Sequence, residues 1–284
     1  MKRIGLGLFI VVFLLSCGNK KTKIDPFAPF TSMVDSVTHK ADTLQQVEVK
    51  EEPKPMEADE SFDDFIYSYA SDNALQRQRT KFPLPYYNVN TPSKIEEEHW
   101  KHDYLFTQQN YYTLLFDDEE ELDLVGDTAQ TSVQVEWILL KTRMVKKYYF
   151  ERIKGAWMLE AINLRHMEQD ENGNEDFVGF YALFVTDSLY QSRHIREPLE
   201  YITIDPDDEF SILETTLDLN QWYAFRPILP VDKLSNINYG QQNKDDSNTK
   251  ILKVNGIDNG YSNIFYFRRH GGKWELYKYE DTSM

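Results

Sequence analysis

The sequence predicts an α+β protein made of two tandem repeats, each an N-terminal helix followed by a curved antiparallel sheet. Three observations carry this. The chain matches itself at an offset of 115 residues. Each copy opens on apolar residues at helical spacing. Each copy closes on aromatic and β-branched runs broken by glycine.

A fixed internal period constrains the architecture before any local reading does. Phe62 falls on Phe177, Phe65 on Phe180, Ile66 on Tyr181 and Tyr69 on Phe184. Asp72, Gln76, Pro83 and Tyr86 fall on Asp187, Gln191, Pro198 and Tyr201 with no gap. A second block pairs Phe150, Arg152, Gly155, Trp157 and Leu159 with Phe267, Arg269, Gly272, Trp274 and Leu276, now at an offset of 117. The middles are less alike, and there Asn110-Tyr111-Tyr112 is set against Gln221-Trp222-Tyr223. The repeats are expected at 61–170 and 171–284.

Positions 62, 65, 66 and 69, and their counterparts 177, 180, 181 and 184, form the stripe of an amphipathic helix. Ser61 before Asp64 resembles a capping arrangement in which a side-chain oxygen satisfies a free backbone N–H. Pro83 and Pro198 lack that N–H, so each helix ends before them. Residues 132–140 and 145–153 are rich in β-branched and aromatic side chains and predict strands. Gly155 and Gly271-Gly272 mark turns. Trp157 with Leu159, and Trp274 with Leu276, share one face of the strand after each turn. A helix laid on an antiparallel sheet buries both apolar faces, which is the α+β solution.

A helix-first unit that closes on aromatic-x-Arg-x-x-Gly-x-Trp-x-Leu resembles the nuclear transport factor 2-like (NTF2-like), or cystatin-like, cone fold. Residues 61–281 as a whole resemble a family of bacterial envelope lipoproteins of unknown function. The resemblance implies two cone-shaped repeats packed as an intramolecular pseudo-dimer. It brings no catalytic motif with it.

Upstream, Lys2 and Arg3 precede the 12-residue apolar run Ile4–Leu15. Such a run is too short to span a bilayer, which takes ~20 residues, and reads as an export signal. Ser16-Cys17-Gly18 resembles the lipobox of bacterial lipoproteins, which implies cleavage after residue 16 and acylation of Cys17. Cys17 is the only cysteine, so no internal disulfide forms. Residues 17–60 lack apolar periodicity and carry Pro26, Pro29, Pro53, Pro55 and a run of acids, the composition of a disordered tether. The expected location is the cell envelope, on the outer membrane facing the periplasm, with the membrane as partner through Cys17.

The chain holds 31 basic and 47 acidic residues, a net charge of −16. Removing residues 1–16 takes away Lys2 and Arg3 and no acid, which leaves 29 against 47, or −18. That balance repels nucleic acid and anionic lipid, so nucleic-acid binding is set aside. The 17 Phe, 18 Tyr and 5 Trp supply a core and the lining of an apolar pocket.

Four groups of residues are candidate sites. Asp72 with Asp187, and Gln76 with Gln191, recur in both copies. They are read as fold-keeping residues, each Asp bonding loop N–H groups. The functional alternative is a buried carboxylate acting as a base. His99 and His102 sit three apart beside Glu96, Glu97, Glu98 and Asp103. The spacing suits zinc, but no third ligand is marked, and a solvated acidic face is favoured. Asp170, Asn172, Asn174 and Asp176 alternate like the start of a calcium loop. Glu175 then stands where Gly is needed and Tyr181 where Glu is needed. Asp117–Glu121, and Asp205–Glu209 around Pro206, read as solvated turns. No metal, cofactor or catalytic residue is assigned.

The function expected is a lipid-anchored envelope protein that binds a small apolar ligand or a protein partner without catalysis. The alternative is a cone-fold enzyme of isomerase, dehydratase or cyclase type using a buried carboxylate or histidine.

Overall fold

The computed structural model describes residue 59 and residues 61–124, 129–167, 176–241 and 247–284. The described residues all fall within one compact unit. The leader, Cys17 and nearly all of the expected tether lie outside the described residues. Among the described residues, no helix is long and apolar enough to cross a membrane.

The first half runs α1 (Phe62–Ser71), α2 (Asn73–Gln78), β1 (Leu84–Asn88), β2 (Thr91–Ile95), β3 (Tyr111–Phe116), β4 (Ser132–Leu139), β5 (Met144–Ile153) and β6 (Ala156–His166). The second half runs α3 (Phe177–Thr186), α4 (Ser188–Ser192), β7 (Ile195–Asp205), β8 (Asp208–Leu217), α5 (Leu219–Phe225), β9 (Lys233–Asn238), β10 (Thr249–Gly256), β11 (Ser262–His270) and β12 (Lys273–Asp281).

The expected single helix of each copy is broken in two. Asp72 and Asp187 leave the helical conformation and cap the next helix. The Ser61 cap is present: its Oγ accepts from Asp64 N at 3.1 Å. The four predicted stripe residues of α1 are buried, and so are those of α3. Phe62 meets Trp157 at 5.1 Å and Phe150 at 5.4 Å between ring centroids, and Phe177 meets Trp274 and Phe267 at 5.3 Å each. A β-bulge at Tyr149/Phe150 recurs at Tyr266/Phe267. The turns after β5 and β11 need positive φ, which Gly155 (86°) and Gly272 (80°) adopt without a Cβ clash.

The sheet differs from the expectation of two cones with a sheet each. The strands form one continuous 12-stranded sheet in the order β2-β1-β6-β5-β4-β9-β3-β10-β11-β12-β7-β8. β4 pairs with β9 of the second half, and β10 pairs with β3 of the first. Each half has thus given its third strand to the other. The two exchanged strands meet in parallel at the centre through Thr113 and Asn236.

The two cores lie on opposite faces of this sheet. Leu114 and Phe116 belong to the α1 core and Leu115, between them, to the α3 core. Ile251 and Leu252 divide in the same way. Side chains alternate along a strand, so neighbours in sequence face opposite ways.

Asp59, at the end of the expected tether, is docked. Its carboxylate accepts from Arg79 at 2.8 and 3.2 Å and from Trp157 N at 2.7 Å.

Candidate functional site

The residues repeated in both halves are structural. Asp72 Oδ1 accepts from Ala74 N and Leu75 N, and Asp187 Oδ1 from Leu189 N and Tyr190 N. Both cap short helices, which is the structural reading and not the catalytic one. Gln76 and Gln191 are buried among backbone groups. Gln76 Nε2 donates to Tyr69 O and Asp103 O, while its Oε1 accepts from Trp100 Nε1 and Asp103 N. Gln191 Nε2 donates to Phe184 O, and its Oε1 accepts from Trp222 Nε1 at 3.2 Å. Trp222 therefore corresponds to Trp100. The alignment of Tyr111 with Trp222 is wrong, because β3 starts at Tyr111 whereas Trp222 lies in α5. The short, weakly similar middle segments gave no frame to fix it.

An open groove of ≈ 500 Å³ lies where the α1 core reaches its edge. Its lining includes Lys101, Asp103, Tyr104, Trp137 and Lys233. The floor comes from the sheet. Trp137 on β4 stands opposite Lys146 on β5 and Ser235 on β9, and Leu139 stands opposite Lys233. Val135, Tyr148 and Ile237, one row away on the same face, belong to the α1 core. The groove thus continues that face beyond its aromatic filling, and the exchanged strand β9 supplies part of it.

The wall is the segment after Trp100. Leu105 and Phe106 are buried and anchor it. Leu105 holds a left-handed φ of 48°, a conformation a leucine adopts only when its surroundings impose it. Gln109 Nε2 ties the wall to the floor by donating to Ser235 Oγ at 2.7 Å.

Inside the groove, Asp103 is fully engaged. It accepts from Tyr148 Oη at 2.6 Å and from Leu105 N at 3.1 Å, with Lys146 Nζ at 3.4 Å. Burial pushes the Tyr148 phenol far above its ordinary value, and the neighbouring Asp103 adds to the rise. Tyr148 is therefore a neutral donor. Lys233 Nζ lies 4.1 Å from the Trp137 ring centroid. Burial pushes this ammonium below the ordinary lysine range, while Asp103 and Asp232 pull it back. The arrangement can hold a ligand by charge, aromatic contact and hydrogen bonding. The Asp103 carboxylate is matched by three donors, and His102, also in the lining, is held through Nε2 on Ala70 O.

The second half lacks this chemistry. Phe150 and Phe267 are equivalent, so the pairing registers set Trp137 against Val254, Lys146 against Asn263 and Tyr148 against Phe265. They also set Lys233 against Tyr111. The corresponding place is filled by the chain itself. Ser283 Oγ accepts from Ser262 N and Asn263 Nδ2, and Thr282 N donates to Ser262 O.

Of the remaining sequence candidates, His102 lines the groove beside Asp103, and the others do not join it. His102 Nε2 is bonded to Ala70 O at 2.9 Å, Trp100 between the histidines is buried, and no group of metal-binding side chains occurs among the described residues. Asp176 caps α3 and pairs with Arg143 at 2.8 Å; the rest of the calcium-like segment lies outside the described residues. Asp117 departs from the solvated turn expected at Asp117–Glu121. It is buried rather than solvated, and it forms an ion pair with buried Lys250. The turn at Pro206 is exposed, as expected. Burial pushes the carboxyl of Asp63 on α1 up, and it accepts from the Tyr239 hydroxyl.

The groove residues Trp137, Lys146 and Lys233 escaped the sequence reading. A signal was present: at matched positions of the two closing hairpins, Trp and Lys stand against Val and Asn.

Comparison with known proteins agrees with the fold. A family model described as a domain of unknown function (DUF4348) matches residues 41–281, and so begins inside the segment read as a tether. The crystal structure of an NTF2-like protein from Bacteroides fragilis NCTC 9343 is 71% identical and covers 82% of this chain and 100% of that chain, with a TM-score of 0.78. No curated protein matches the chain.

Proposed function

The chain belongs to the DUF4348 family and has an NTF2-like fold; from that premise we propose that it is a lipid-anchored cell-envelope protein whose folded part is a non-enzymatic binding module. Fold alone assigns no activity. The observation that carries the reading is the open groove at Trp137, set at the edge of a core otherwise filled by aromatic rings. The two halves act as tandem cones joined into an intramolecular pseudo-dimer. The exchanged strands β3 and β9 and the Asp117–Lys250 ion pair between the halves support this. Acylation of Cys17 and an outer-membrane, periplasm-facing location rest on the lipobox.

The test has two parts. In cells fed an alkyne-bearing fatty acid, the wild-type chain is expected to take up the label and Cys17→Ser is not; a wild-type chain without label overturns the anchor. Small-molecule fragments are then titrated into the ¹⁵N-labelled Cys17→Ser full chain. Shifts are expected on the Trp137 indole and the amides of residues 101–109. Binding that leaves these signals unmoved overturns the groove. The isomerase, dehydratase or cyclase alternative would use His102, which lines the groove with Nε2 bonded to Ala70 O, or Asp63, whose carboxyl is occupied by the Tyr239 hydroxyl and lies outside the groove lining.

A further inference from the structure

The charges in the groove select a class of ligand, an inference that rests on the groove being a ligand site. Three lysines stand in or beside it. Lys146 is spent on Asp103, at 3.4 Å. Lys101 and Lys233 line the groove, and among the described residues neither has a carboxylate within ion-pair distance. The nearby acid Asp232 is paired elsewhere, with Lys141 at 2.9 Å.

This local excess of cations is set in a chain of net charge −16. Such a chain repels anions at long range, so any affinity for one must be built locally. Burial of the Lys233 ammonium costs free energy that Asp103 and Asp232 offset only in part, and an anion in the groove reduces that cost; exposed Lys101 adds a second charge at the mouth. The groove also offers a flat apolar surface. Tyr104 is 45% exposed, and its ring is fixed against His102 at 4.3 Å between centroids. At the equivalent positions the second half has Asn263 and Tyr111 in place of Lys146 and Lys233, and its C-terminal residues 282–283 bond there, so the fold does not require these features.

We propose that the groove binds a small anion with a flat apolar body, its charge held by Lys101 and Lys233 and its flat face lying on Tyr104. A carboxylate or a phosphate ester meets the charge requirement.

The test uses the Cys17→Ser full chain and three probes: 2-naphthoate, its neutral analogue 2-naphthamide, and inorganic phosphate. The Trp137 indole N–H is buried and has no hydrogen-bond partner among the described residues, which makes its ¹⁵N signal a clean reporter. The expected result is saturable binding of 2-naphthoate that weakens about tenfold in Lys233→Gln and in Lys101→Gln, since a charge-assisted contact is lost in each. Tyr104→Ala is expected to weaken 2-naphthoate and leave phosphate unchanged. Lys101 is exposed, so Lys101→Gln keeps its melting temperature and its result cannot be ascribed to misfolding. If 2-naphthamide binds as well as 2-naphthoate, the anion class is overturned while the groove stands. If phosphate binds as tightly as 2-naphthoate, the flat-body requirement is overturned. If no probe moves the Trp137 signal, the groove is not the site and both readings fall.

Discussion

Gln76 and Gln191 each bond a helix carbonyl and a Trp indole, but Gln191 Oε1 takes its second donor from Arg226, whereas Gln76 is tied to the groove wall through Asp103. Gln76→Leu keeps the volume but leaves the Trp100 indole, the Asp103 N–H and two carbonyls unpaired in the interior. Each such group costs about 1–3 kcal/mol, so a loss of about 4 kcal/mol is expected in urea unfolding. Gln191→Leu is expected to cost a similar amount. Only Gln76→Leu should also loosen ligand binding at Trp137, as read by titration of both variants. Asp63 gives a pH prediction. Burial raises its folded pKa above the unfolded value, so its contribution is fully present below the unfolded pKa and is lost as pH rises through the folded one. Asp63→Asn keeps an oxygen for the Tyr239 hydroxyl and carries no charge. The variant is expected to match the wild type near pH 3 and to melt a few degrees higher by about pH 7, in scans across that range.

At the scale of the element, the two ends of the sheet are protected unequally. The β2 edge has five residues and carries Pro92 and Lys94, both of which discourage pairing with another chain. The β8 edge has ten residues with neither Pro nor Lys, and it exposes Phe210 at 91% and Ile212 at 66%. Strand-to-strand association through β8 is therefore expected at high concentration. Ile212→Lys should shift sedimentation toward monomer without moving the melting temperature. A shift in melting temperature would mean that the side chain packs within the fold instead.

At the scale of the molecule, neither half closes its own sheet. A fragment of residues 58–170 lacks β9 and β10, which pair with β4 and β3 in the intact chain. Alone it is expected to stay largely unfolded or to dimerise by exchanging β3 between copies, as circular dichroism and sedimentation would show. A folded monomer would contradict the exchange. The helix stripe, the caps and the closing hairpins were legible in the sequence because their signals are local: a period, a cap residue, a glycine turn. The exchange was not legible, since Tyr111–Phe116 is equally apolar whichever strand it joins. Asp117 looked solvated because its partner Lys250 is distant in sequence. The groove was missed for the same reason, as its residues come from four separate segments and meet only through the sheet.

The exchanged strands also set an order of events when the chain is made. Synthesis runs from the N-terminus, and Phe116 is complete long before Thr249 exists. Throughout that interval β3 has no antiparallel neighbour, and β4, paired with β5 on one side, waits on its other side for Lys233–Asn238. The first half cannot complete its sheet as it emerges, and β3 and the free edge of β4 stay open to capture by other chains until the segments from Lys233 and Thr249 onward arrive. The native sheet is therefore assembled from its centre only once the polypeptide is almost complete.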